Sequence, residues 1–141
     1  MANTLWDAGR EGFLDGSIDW NSSTLKCSLV RGYIFSASHR FLSDLTGAGG
    51  VLVTTATLTT PTVTAGVAGA DAVTFESVPT GTACNSLIIY QASAPGGGAD
   101  LATTAQRLIY FIDTGSGLPV TPNGGNINIS WDAGPNKIFK L

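Results

Sequence analysis

SLIIYQA at residues 86–92 and RLIYFID at residues 107–113 decide how this chain folds. Each run is apolar on both faces, which is the pattern of a central strand covered from two sides. The segment between them, SAPGGGADLATTA at 93–105, is rich in Gly and Ala, and the simplest pairing across it is an antiparallel hairpin. That loop exceeds the usual hairpin length, which marks it as a contact or functional loop.

Outward from this pair the apolar residues recur with period two. Leu25, Cys27 and Leu29 alternate with Lys26 and Ser28, Val73 and Phe75 with Thr74 and Glu76, and Ile127, Ile129 and Trp131 with Asn128 and Ser130. Residues 137–141 form a last short strand, and Tyr33 to Ser36 either extend the first strand or form another. VLVTTATLTTPTVT at 51–64 holds seven threonines, and Thr is β-branched and suits strands. Here Leu52, Ala56 and Leu58 are expected on one face and Thr55, Thr57 and Thr59 on the other. Pro61 cannot donate to a ladder and marks an edge or a break. Residues 3–14 read as a helix capped by Asn3 or Thr4, with Leu5, Trp6, Gly9 and Phe13 on roughly one face. Residues 38–46 read as a helical turn with Phe41, Leu42 and Leu45 inward. GAGG at 47–50, TGSGLPVTPNGG at 114–125 and DAGPN at 132–136 read as turns.

The expectation is one all-β domain over residues 1–141 with seven or eight strands. It is an antiparallel β-sandwich or partly closed β-barrel, with a short N-terminal helix across it and one short internal helix. The expected core is Leu25, Cys27, Leu29, Phe75, Leu87, Ile89, Leu108, Tyr110, Ile112, Ile127, Ile129 and Trp131.

Composition narrows the function. Charged residues make up 12% of the 141, about half the usual ~25%. A polar but weakly charged surface suits a protein covered by neighbours in an assembly, although a secreted β domain has a similar composition. The net charge is −3 and the seven basic residues are scattered, so there is no clustered cationic footprint for nucleic acid or an anionic membrane. Cys27 and Cys84 sit beside apolar strand patterns and read as buried free thiols. Asp7 and Glu11 occupy the place where a secretion signal would be apolar. The strongly apolar runs are about five residues, far below the ~20 needed to span a bilayer.

No chemistry assembles from the motifs. His39, the one histidine, has Asp44 near it but no nucleophile signature such as GxSxG, so it reads as a polar residue on the short helix. Asp15 and Asp19 share a turn without the cleft a glycosidase pair needs. GAGG lacks the phosphate-loop pattern, and PNGGN at 122–126 is too poor in carboxylates for calcium. No catalytic, cofactor or metal residue is assigned, and a non-enzymatic protein without cofactors is expected. Trp6, Trp20 and Trp131 read as core or interface residues.

Seven strings carry a family resemblance. GREGFLDG at 9–16 followed by IDW at 18–20, HRFLSDL at 39–45, the pair IIYQ at 88–91 and RLIYFID, and the closing LPVTPNGG at 118–125 with GPNKIF at 134–139 resemble a group of small virion proteins of tailed bacteriophages. The likeness spans essentially the whole chain. It implies a structural protein made in the host bacterial cytoplasm and carried on the virion. The favoured place is the capsid exterior, where a decoration or cement protein binds major capsid protein subunits. Self-association, with trimers favoured by analogy, is part of that expectation. Candidate interface residues are Trp6 and Phe13, if the helix is exposed, and Thr55, Thr57 and Thr59 on the threonine-rich edge. A head–tail junction or tail component is the alternative within the virion. A carbohydrate-binding module on the virion surface is the alternative of another class, favoured by exposed coplanar aromatic side chains and opposed by burial of all three tryptophans.

Overall fold

The computed structural model describes residues 3–115, 117–132, 134–135 and 137–141, so the turns expected at 114–125 and 132–136 lie outside it at Ser116, Ala133 and Asn136. The two apolar runs pair as their sequence demands. β7 (Ser86–Gln91) and β8 (Leu108–Ile112) run antiparallel, with Leu87 opposite Ile112 and Ile88 opposite Phe111. β2 (Leu25–Arg31) lies on the other side of β7, β3 (Val51–Thr57) beyond β2, and β1 (Thr4–Leu5) on the outer edge of β8. The result is a five-stranded sheet ordered β1-β8-β7-β2-β3. All six residues of β7 are buried, because the sheet is covered on both faces.

One face, with Cys27, Leu29, Leu87 and Ile89, packs against two small antiparallel sheets. These are β4 (Thr62–Thr64), β5 (Val67–Gly69) and β10 (Phe139–Lys140) in the order β10-β5-β4, and β6 (Val73–Phe75) with β9 (Ile127–Ile129). The other face, with Val30, Ile88, Tyr90, Leu108 and Phe111, packs against Trp6, Tyr33 and the α2 helix (Leu42–Gly47) through Leu42 and Leu45. Burial of each such aliphatic side chain contributes roughly 1.5–3 kcal/mol. The molecule is therefore all-β with two short helices, ten strands in three antiparallel sheets, and no closed barrel among the described residues.

Several expectations change. The N-terminal helix, α1, spans Asp7–Asp15, and Asn3 and Thr4 do not cap it. Thr4 and Leu5 pair with Phe111 and Tyr110, while the Asn3 side chain accepts the N–H groups of Asp113 and Thr114. An open strand edge offered those residues better partners than a helix terminus. Glycines that weaken α1 in isolation let it dock: a Cβ on Gly9 would lie 2.9 Å from Ile109 Cα. The 51–64 stretch breaks at Pro61 into β3 and β4. Its faces also differ, because a bulge between Leu29 and Val30 shifts the β2–β3 register. Leu52 therefore packs on the Trp6 side, while Ala56 and Leu58 pack on the other. Tyr33 to Ser36 are not a strand, and His39 precedes α2. Phe41 is half-buried at the helix start, with the Arg107 guanidinium 6.0 Å from its ring centre.

Of the expected core, Tyr110, Ile112, Ile127, Ile129 and Trp131 are half-buried. A crevice of about 480 Å³ opens where the small sheets meet the large one, and Tyr110, Ile112, Ile129 and Trp131 line it. Cys27 and Cys84 are free and buried, and burial pushes the Cys27 thiol up. Cys27 is accordingly expected to react with a maleimide at neutral pH only after denaturant unfolds the chain, readable by mass spectrometry.

Four carboxylates tie down local structure. Asp44, in the first turn of α2, accepts the N–H groups of Phe41 and Arg40, both at 2.9 Å. Glu11 pairs with Arg40, Asp19 accepts the Ser22 hydroxyl, and Asp15 bonds Ser17. The Phe41 N–H for Asp44, and these partners for the other three, hold each carboxyl below its usual value. A depressed folded pKa gives stability that is present above the unfolded value near 4 and is lost as pH falls through the folded one. The melting temperature should be flat above about pH 5 and should fall below about pH 4. Asp44→Ala should remove about 1 kcal/mol at pH 7 in a denaturant titration.

Candidate functional site

Two surface features stand out, an open strand edge and an apolar cleft. The first is the outer edge of β3. Leu58 donates its N–H to Leu25 O at 2.8 Å, Ala56 pairs with Cys27, and Thr54 with Leu29. By the alternation of an antiparallel ladder, Thr55 and Thr57 turn their peptide groups away from β2. No other backbone group among the described residues bonds them. Thr59 differs, since its carbonyl accepts the Asp71 N–H at 2.9 Å. Thr55, Thr57 and Thr59 are all exposed, and β3 carries no charged side chain. The Thr55 hydroxyl donates to Ser28 Oγ, and Ser28 donates to Thr54 O at 2.7 Å. The edge is thus stiff, neutral and short of the charges that usually block strand addition.

The second surface is an apolar cleft of about 480 Å³ between α1, the following loop and the β10-β5-β4 sheet. Val63, Ala68 and Phe139 lie opposite one another and form its floor. Phe13, Ile18 and Trp20 form a wall, with Asp19 on the rim. Trp20 is fixed by its indole N–H, which donates to Gly69 O at 3.0 Å. Phe13 is half-buried, its ring 6.0 Å from that of Phe139 and 6.4 Å from that of Trp20. Phe13 therefore both pins α1 and faces the cleft. Leu14, its neighbour on α1, is 88% exposed.

Trp6 belongs to neither surface. It is fully buried among Tyr33, Phe35 and Phe111, and its indole N–H donates to Ser36 O at 3.0 Å. Of the two roles its sequence position allowed, the structure takes pinning α1 to its own domain, and Trp6 is withdrawn as an interface anchor. Trp20 is buried and Trp131 half-buried, so no coplanar set of exposed tryptophans exists. His39 Nδ1 lies 2.8 Å from the Tyr33 hydroxyl, and Asp44 is occupied by backbone N–H groups. Among the described residues no group of three or more His, Cys, Asp or Glu could hold a metal ion, and no helix is long and apolar enough to cross a membrane. Sequence reasoning missed the cleft because Val63, Trp20 and Phe139 come from three separate segments. Comparison of the chain with protein-family models, with curated proteins and with solved structures yields no match.

Proposed function

We propose that this chain is a structural protein of a tailed-bacteriophage virion, a capsid decoration protein that binds the outer face of the major capsid lattice. The observation that carries the reading is the exposed, uncharged outer edge of β3, with the peptide groups of Thr55 and Thr57 left for another chain. The motifs that resemble tailed-phage virion proteins supply the identity of the assembly. An edge of this kind gives a neighbouring strand main-chain hydrogen bonds with little dependence on side chains. A specific interface of standard size buries ~1,200–2,000 Å² in total, and repetition around the shell multiplies a modest affinity. Capsid subunits held together in this way resist the outward push of a packaged genome. The mechanism needs no proton transfer and no cofactor.

Electron cryo-microscopy of intact particles tests the assignment. Density for the chain on the outer lattice, and rupture at lower temperature in particles that lack it, are the expected results. Density only at the unique vertex moves the protein to the head–tail junction or tail, and its absence from purified particles refutes the virion reading. A second measurement addresses the edge. The double variant Thr55→Lys/Thr57→Lys should keep its circular dichroism spectrum and lose at least about tenfold in affinity for particles, equivalent to about 1.4 kcal/mol. Unchanged particle binding would remove β3 from the interface.

A further inference from the structure

We propose that the recess beside Trp131 is a carbohydrate-binding site for a pyranose ring bearing no negative charge, a site independent of the virion assignment. The recess has a volume of about 320 Å³, and its lining includes Thr60, Thr62, Asp71, Trp131, Asp132 and Lys137. A pyranose presents an apolar face of C–H groups and a rim of hydroxyls. The recess offers the matching pair, one aromatic side chain among polar groups.

Trp131 is the one tryptophan of the three that is not buried. Its indole N–H donates to Asp71 O at 2.9 Å, which fixes the ring through the backbone and leaves the Asp71 carboxylate outside that bond. Trp131 also lines the neighbouring crevice, together with Asp132 and Lys137. The Asp71 carboxylate is exposed, with no hydrogen bond or ion pair among the described residues. It can accept two sugar hydroxyls. Asp132 uses Oδ1 to accept the Gly134 N–H, and its second oxygen remains for a ligand. Lys137 makes no ion pair among the described residues and supplies a donor.

Backbone conformation singles out the same place. Only four non-glycine residues among those described have positive φ, and two of them, Thr60 at 50° and Lys137 at 41°, line this recess. A β-branched residue in the left-handed region is a costly outlier. Such residues gather where a binding geometry is held against local preference. Two carboxylates against one ammonium leave the recess negative. It therefore repels uronic acids and phosphorylated or sulfated sugars and accepts neutral or amino sugars.

Saturation-transfer NMR on the full chain tests the proposal, with D-glucose, D-galactose, N-acetyl-D-glucosamine and D-glucuronate as probes at up to about 10 mM, tenfold above a millimolar dissociation constant. At least one uncharged sugar should bind saturably and glucuronate should not. Asp71→Asn keeps the carbonyl that anchors Trp131 and should weaken binding at least about threefold, about 0.65 kcal/mol. Trp131→Ala should abolish binding, with circular dichroism verifying its fold. No saturable transfer from any uncharged sugar overturns the site. So does binding that survives Asp71→Asn unchanged, or glucuronate bound as tightly as the neutral sugars.

Discussion

Trp6→Ala is expected to destabilise the isolated chain by about 3–5 kcal/mol in a guanidinium titration, the usual cost of deleting a large buried aromatic. Three features set the size of that effect. The indole is fully buried, three aromatic rings surround it, and its N–H satisfies Ser36 O. Total stability of a domain of this class is about 5–15 kcal/mol, so the variant should be populated in unfolded form under mild denaturation. Trp6→Phe keeps an aromatic ring and loses the hydrogen bond, while Ser36 O still accepts the His39 N–H at 3.2 Å, so a smaller loss of about 0.5–1.5 kcal/mol is expected for that bond. Both losses should appear without any partner present. An alanine variant as stable as the parent, but defective in particle binding, would restore Trp6 as an anchor and contradict its burial.

Gly9→Ala reverses the sign that helix propensity assigns. In an exposed helix the substitution gains about 1 kcal/mol. Here the new methyl would sit 2.9 Å from Ile109 Cα and 3.0 Å from Leu108 O, both backbone atoms of the sheet. Neither atom can rotate away, so α1 must lift from β8, and overpacking of this kind costs about 1–3 kcal/mol. The expected net result is destabilisation of up to about 2 kcal/mol. A melting temperature above that of the parent would show that α1 does not pack at this distance.

The hairpin of β7 and β8 was legible because two runs apolar on both faces leave no alternation to misread, and their joining loop constrains the pairing. The edge at β3 was legible for a similar reason: Pro61 and the threonines report an unpaired side locally. What failed was non-local. The face of Leu52 depends on one extra residue opposite the Leu29–Val30 step, which the threonine pattern does not mark. The helix expected over residues 3–14 is present as Asp7–Asp15, but its start is displaced because the pairing of Thr4 and Leu5 is decided by Phe111 and Tyr110 far along the chain. The candidate surfaces divide the same way. Thr55 and Thr57 could be nominated from composition alone. The wall formed by Phe13 and Trp20 against Phe139, like the recess at Trp131, exists only after distant segments meet.

The pairing of the first strand imposes an order on synthesis. Asn3 bonds the peptide N–H of Asp113, 110 residues further on, and at ~5–20 residues per second a ribosome takes on the order of 5–20 s to reach it. Through that interval Leu5 and Trp6 have been made and their place in the sheet has not. A nascent chain stalled before Leu108 should therefore keep its N-terminal tryptophan open to a soluble quencher and to chaperones, and should close it once β8 has cleared the exit tunnel.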